Sequence, residues 1–388
     1  MKSKSGAMVL FLGIIVLLFT SRCLAVDTLE PKWLRVWGGG ANDWGLSIAI
    51  DRARSIYLVG TTESFGVGED HFLVKYSPEG DTLWEKTWDR GGNDSGRSVA
   101  VDPQSAVYVA GDTYSSGGGS YDALLVKRTP EGKILWEKTW GGENSECATA
   151  VAVDTEGTVY LVGSISPPAR PGDGFVVKYT SQGEILWEKT WGGGLEDYVC
   201  TAVVDATGNL YLAGSTYSSR RDRDAFLVKY ASEGEILWEK TWGGTSQEGV
   251  AAVAVDTEGN VYVVGSVSTP GYREDAFVAK YTPEGQILWD RTWGGEDYEY
   301  ATAVALDTEG NVYLVGFISP LAGSEDAFVV KYTSQGEILW EKTWGGAECD
   351  RASAAVVDAT GNLYLAGFTY SYGPAEDAFL LCVSSTVP

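Results

Sequence analysis

Histidine is almost missing from this chain: among 388 residues there is one, His71. A zinc site built from three histidines, or a histidine repeated in every unit of a symmetric protein, is therefore excluded. A Ser-His-Asp triad would have a single base to draw on. Cysteine is scarce as well. None of the five lies in a Cys-x-x-Cys pair, so a thiolate zinc site is not expected. Cys147, Cys200, Cys349 and Cys382 permit three pairings, and both disulfides and free buried thiols stay open. Helix-period apolar patterns are lacking after residue 25, and no later run is long and apolar enough to span a bilayer. No Gly-rich stretch is followed by the Lys-Ser/Thr of a phosphate-binding loop. No calcium loop of EF-hand type is present either.

Positive charge is the other shortage. The 29 Lys and Arg face 53 Asp and Glu, for a formal net charge of −24. Such a chain repels nucleic acid and anionic lipid headgroups at long range, while cations, cationic partners and neutral glycans stay allowed. Solubility alone also accounts for the charge.

The first 25 residues read as a signal peptide. Lys2 and Lys4 make a basic start, residues 7–19 form a 13-residue apolar run, and Cys23-Leu24-Ala25 offers small residues at −3 and −1. Cys23 as a lipid-anchored cysteine is disfavoured by the bulky Arg22 before it. The expectation is a secreted or otherwise extracytoplasmic chain, residues 26–388, with no membrane span once the leader is removed.

What is abundant is glycine, 49 residues, and aromatics, 12%. Together with dense turn signals they indicate an all-β protein. Tryptophan shows the repeat. Trp33, Trp84, Trp136, Trp187, Trp238, Trp289 and Trp340 recur every 51 or 52 residues, each with a second Trp four positions on. Only Trp44 stands outside this scheme. One unit reads as four short strands: residues 251–255, 261–265, 276–281 and 287–293, joined by two tight turns and a longer loop. Four strands in a period near 51 predict a propeller blade. In the first strand, small residues (Ser47, Ala49 and their equivalents) line one side, as blades converging on an axis require. Each Trp pair falls on the outermost strand, where it is expected to bury a large apolar area between blades. The last unit stops after its third strand, and residues 33–37 form an orphan fourth strand. Joining them gives seven blades of four antiparallel strands, the last closed by the N-terminal strand, with a monomer as the expected state.

The segments Val255 to Gly265 and Leu306 to Gly316 carry the pattern Val/Leu-Asp-x-x-Gly-Asn-x-Tyr-x-x-Gly. It resembles the bacterial and archaeal β-propeller repeats of the SBBP type, over nearly all of the chain past the leader. The resemblance implies the fold, and it implies little about activity. The Glu-Gly-x-Ile-Leu-Trp segment is also similar to the tryptophan-docking motif of quinoprotein propellers. Those enzymes usually have eight blades and a dedicated cofactor pocket with no counterpart here, so the likeness reads as shared packing.

The turns after strands one and three are short and constant. The loops after strands two and four vary, so a binding site is expected on the face that carries them. Three acidic positions recur there or nearby. Asp43, Asp94, Glu146, Asp197, Glu248, Glu299 and Asp350 enter the innermost strand from that face. They are expected to ring the channel mouth, either holding Ca2+ or another divalent cation or cationic ligand, or capping loop amides. Asp51 and its equivalents are read as turn carboxylates, and Asp70 and its equivalents as loop caps or cross-blade partners. His71, which replaces the Ala or Gly of other units, is expected at the surface or half-buried.

A single site must break sevenfold symmetry. On the variable loops the residues that do so are Trp44, Tyr114, Arg170, Tyr198, Arg220, Arg221, Arg223, Tyr272, Tyr298, Tyr300, Arg351, Tyr370 and Tyr372, with Trp44, Tyr198, Tyr298, Tyr300 and Arg351 the foremost ligand-binding candidates. Rim aromatics suit stacking on sugars or peptide side chains. With no catalytic set, the leading expectation is a non-catalytic binding or scaffold module for a protein or glycan ligand. The rival is a lyase or hydrolase using carboxylates and a divalent cation at the channel mouth, by analogy of fold alone.

Overall fold

In the computed structural model, strands and turns are described over residues 27–384, apart from residues 67, 89, 115–119, 169–170, 194, 218–221, 244–245 and 269–272. Residues 1–26, which hold the expected leader, lie outside the described residues. Among the described residues no helix is long and apolar enough to cross a membrane.

The chain folds into seven sheets of four antiparallel strands each, one of which gains a short fifth strand at its edge. Blade 1 comprises Asp43–Ile50, Ile56–Thr62, Asp70–Tyr76 and Thr82–Trp88, paired in chain order. Blades 2 to 6 repeat it, starting at Asp94, Ser145, Asp197, Gln247 and Tyr298. Blade 7 takes Asp350–Val357, Asn362–Thr369 and Asp377–Ser384 from the end of the chain and Trp33–Trp37 from its start. Trp33 lies opposite Cys382 and Trp37 opposite Ala378. First strands of successive blades adjoin around the axis, and those of blades 7 and 1 meet, so the ring is closed.

Strands two and three are apolar on both faces because each blade is sandwiched between two others. Ile56, Leu58 and Phe72 of blade 1 pack with Tyr364 and Leu380 of blade 7, whereas Tyr57, Val59 and Leu73 pack with Val99 and Val109 of blade 2. The first strand carries a bulge in every blade, between Gly45 and Ser47 in blade 1. One extra residue flips the side-chain parity. Asp43 therefore shares the face of Ile48 and Ile50, toward the preceding blade.

All the repeated tryptophans but Trp344 are half-buried, less than the sequence led us to expect, because the outermost strand keeps one edge in solvent. The first Trp of each pair docks on the next blade. Trp238 Nε1 donates to the Pro283 carbonyl at 3.0 Å, and its ring lies against Gly285. Gly285 has φ +77°, and a Cβ there would sit 3.1 Å from the indole, so glycine is required twice over. Blade 7 has no turn between its third and fourth strands, because they come from opposite ends of the chain. Asp27–Thr28 pairs parallel with Lys342 and Thr343 at the edge of blade 6 instead, and Leu29 packs against Trp344.

Candidate functional site

Six blades share a buried or half-buried Asp-Tyr-Lys group. In blade 1, Asp51 accepts the Ser55 amide at 2.8 Å and the Tyr57 hydroxyl at 3.1 Å. Lys75 lies 3.6 Å from Asp51, 4.8 Å from the Tyr57 ring centre, and donates to the Pro130 carbonyl of blade 2. The group ties turn to sheet and blade to blade, and all its polar atoms are engaged. The shallow depression of about 240 Å³ over Asp51, Asp102 and Asp154, on the short-turn face, is the outside of these turns.

The acids that open the innermost strands are mostly buried and turn toward the preceding blade. They cap loop amides: Asp43 accepts from Gly39, Asp94 from Arg90, Glu146 from Gly142, Asp197 from Gly193 and Asp350 from Gly346, at 2.7–3.0 Å. They also come close to an Asp of that blade. A Cβ on Gly294 would collide with oxygens of both Glu299 and Asp275, and one on Gly243 with Glu248 and Asp224. Gly38, Gly141 and Gly192 separate further such pairs. The glycine after the second Trp is thus a spacer between two carboxylates. Glu299 is 5% exposed with Oε2 unpartnered. Burial, then Asp275 and Asp297, push its carboxyl up to about 7, and burial and Asp224 do the same to Glu248. Among the described residues no three or more His, Cys, Asp or Glu converge on one point.

At the position one further along, symmetry fails. The position holds Trp44, Ser95, Cys147, Tyr198, Gly249, Tyr300 and Arg351 in blades 1 to 7. Four are held by a glutamate of the preceding blade: Trp44 Nε1 donates to Glu376, Ser95 Oγ to Glu69, the Tyr300 hydroxyl bonds Glu274, and Arg351 pairs with Glu325. Burial and Glu274 push the Tyr300 phenol up to about 12. Over Gly249 the vacant place is filled by Arg223, which pairs with Glu274 at 3.6 Å.

Three of the five foremost candidates form one cluster. Tyr298 and Tyr300 lie parallel within 6°, centroids 6.4 Å apart, and Tyr300 stacks on Phe317 at 5.1 Å. The Arg351 guanidinium sits 4.6 Å from the Phe317 ring centre and 5.6 Å from that of Phe368, while Arg273 lies 5.7 Å over Tyr298. Trp44 stands one blade further round, and Tyr198 stands apart on blade 4, its hydroxyl on Glu196. Tyr114, Tyr370 and Tyr372 are exposed. Arg170, Arg220, Arg221 and Tyr272 lie outside the described residues. Sequence reasoning missed Phe317, Phe368 and the glutamates. The signal was there: the residue after the second-strand Gly is Thr, Asp or Ser in blades 1 to 5 and Phe only in blades 6 and 7.

His71 is buried at 0% exposure, not at the surface. It stacks on Trp88 at 4.9 Å and 1°. In five other blades the second Trp meets a Phe of the next blade, as Trp37 meets Phe72 at 4.1 Å, and in blade 4 Trp242 meets Tyr281. Blade 2 has Leu124 there, and the imidazole of blade 1 fills the missing ring's place. Cys147, Cys200, Cys349 and Cys382 are free thiols.

No protein-family model matches the chain. It is 29% identical over 166 residues to the regulatory protein FlaEY of Caulobacter vibrioides, covering 36% of this chain and 17% of that protein. It is 24% identical over 260 residues to the tetrathionate hydrolase of Acidithiobacillus ferrooxidans, covering 64% and 46%. The chain thus spans less than half the length of either relative. Among solved structures, a polysaccharide lyase of the PL25 family, an ulvan lyase, superposes with a TM-score of 0.56 at 12% identity, covering 90% of this chain and 96% of that one. A protein of unknown function from Dyadobacter fermentans gives 0.52 at 11%, covering 92% and 100%. At such identities the likeness shows the fold: an all-β ring of seven four-stranded blades.

Proposed function

We propose that this chain is an exported, non-catalytic binding or scaffold propeller of the SBBP repeat type, engaging a protein or glycan through its variable-loop face. The site is the arc of blades 6, 7 and 1. The observation that carries this reading is the trio Tyr300, Arg351 and Trp44: one position in three successive blades, each held by a glutamate of the blade before. The fold does not need these side chains, since the same position is Ser95, Cys147 and Gly249 elsewhere. Holding large side chains in place lowers the ordering cost of binding.

Export rests on the leader sequence, and the repeat type on the Val-Asp-x-x-Gly-Asn-x-Tyr pattern. That a lyase acting on a polysaccharide has a similar ring supports only the idea that such a ring can present sugar-binding loops. A glycan array and a pull-down with the purified chain test the reading, each run beside an Arg351→Ala variant. A partner lost in the variant is expected. Partners bound equally by both would refute the site. The rival, a carboxylate enzyme using a divalent cation, is favoured only if metal analysis finds a bound cation and a chelator lowers the melting temperature.

A further inference from the structure

We propose that the ligand of the blade 6–7–1 arc is a neutral oligosaccharide or polysaccharide, a claim that rests on the binding function proposed above. The described arginines of the arc and of its flank on blades 4 and 5 are paired, while Glu376, which holds Trp44, has no Lys or Arg partner among the described residues. Arg351 pairs with Glu325, Arg273 with Asp297 at 3.7 Å and Arg223 with Glu274 at 3.6 Å. An anionic ligand would have to displace a carboxylate from its arginine, at the cost of a charge-assisted hydrogen bond.

A sugar hydroxyl meets no such obstacle. It donates and accepts at once, and an Arg–Glu pair offers both halves: guanidinium N–H groups beyond the Nε that holds Glu325, and carboxylate lone pairs. The aromatic surface supplies the rest. Tyr298 and Tyr300 lie parallel, and Trp44 stands on the next blade but one. Pyranose rings carry an apolar C–H face that suits such surfaces. Net charge argues the same way, since −24 repels polyanions at long range.

The test uses the whole chain past the leader. The probes are a soluble β-glucan, a xylan and a galactomannan, with alginate as the acidic polymer and polylysine as the cationic one, read by affinity electrophoresis and calorimetry. The variants are Tyr300→Ser and Trp44→Ser, which the fold already accommodates at Ser95. The expected result is binding of at least one neutral polymer, weakened tenfold or more by each variant. It should change little between roughly 50 and 500 mM salt, since no net charge is neutralised. Alginate bound more tightly than any neutral polymer, or no neutral polymer bound at millimolar concentration, overturns the proposal. Polylysine or a protein bound in a Tyr300-dependent way overturns the ligand class and leaves the binding function standing. Binding that is indifferent to both variants overturns both.

Discussion

Arg54 of blade 1 reaches back across the closure of the ring and places its guanidinium 2.9 Å from the buried Asp358 carboxylate of blade 7. In six blades that carboxylate position is faced by a lysine of the third strand, but in blade 7 the lysine's place opposite Tyr364 is taken by Cys382. Arg54 supplies the missing cation from the next blade. It does so from a turn position with φ +65°, where other blades have glycine, and Ser105 occupies the same position of blade 2 with φ +66°.

The two residues make a paired test. Left-handed backbone costs a non-glycine residue about 1–2 kcal/mol. Ser105→Gly removes that strain and loses no hydrogen bond of the Ser105 side chain, so it is expected to stabilise the protein by about 0.5–1 kcal/mol. Arg54→Gly relieves the same strain but takes away the cation. The charged hydrogen bond is worth about 1.5–3 kcal/mol, so the net effect is destabilising. Chemical denaturation of both variants checks the claim, and effects of equal sign would contradict it.

His71 and Leu124 are expected to behave as a coupled pair. His71→Ala leaves Trp88 without its ring neighbour and opens a cavity, at a cost of about 2–4 kcal/mol. Leu124→Phe alone crowds the imidazole and is also destabilising. Together they recreate the Trp–Phe stack of five other blades, so the double variant should recover at least about 1 kcal/mol relative to the sum of the single effects. A double-mutant cycle by thermal unfolding measures the term directly. Additive losses would show that His71 holds its place for another reason.

These residues also mark the boundary of what the sequence could tell. The blade count, the four strands and the closing strand at Trp33–Trp37 followed from the tryptophan spacing, because a period of 51 is a property of the sequence itself. The bulge between Gly45 and Ser47 was not legible, and with it went the facing of Asp43. Counting alternate positions cannot detect one residue left out of the ladder. His71 was misplaced for a similar reason. Its burial depends on Leu124, 53 positions away, and only packing relates them. Tyr298, Tyr300 and Arg351 stood out as breaks in symmetry, but Glu274 and Glu325, which hold Tyr300 and Arg351, looked like ordinary acids before a strand.

The inter-blade carboxylates and the histidine are expected to shape stability from opposite sides of neutrality. Glu299 faces Asp275, Asp297 and Arg273, and its carboxyl is raised to about 7. A raised folded-state value means the folded state holds the proton more tightly. The stability it contributes is full below the ordinary carboxyl value, near pH 4, and is lost as pH rises through about 7. Glu299→Gln mimics the protonated form, so its melting temperature relative to the parent should climb between pH 5 and pH 8, by up to about 3 kcal/mol in free energy. His71 acts in the other direction. Burial, then Arg90, Arg128 and Arg97, hold its imidazole down to about 3. The unfolded chain takes up a proton near pH 6.5 that the folded chain refuses, so stability falls as pH drops below that value. His71→Phe is expected to flatten the acid limb and leave the alkaline limb unchanged. A variant–parent difference that is constant with pH would contradict either assignment.

The last expectation concerns the edge of blade 6. Leu29 is 3% exposed and packs against Trp344, which at 8% is the most buried of the second tryptophans. The Leu29 amide donates to the Thr343 carbonyl at 2.7 Å. Elsewhere in the ring the second Trp keeps its half-exposed place beside a complete neighbouring blade. Here the neighbour lacks its turn, and residues 27–29 cover the gap. Leu29→Ala should cost about 2–3 kcal/mol, the low end for a buried leucine, because the site lies at the rim and can partly collapse. The loss should largely vanish in a Trp344→Thr background, where the apolar surface that Leu29 covers has been removed. Denaturant unfolding of the four proteins in this cycle decides it. Equal losses from Leu29→Ala in both backgrounds would mean that the segment is held by its backbone pairing to Lys342 and Thr343, not by the indole.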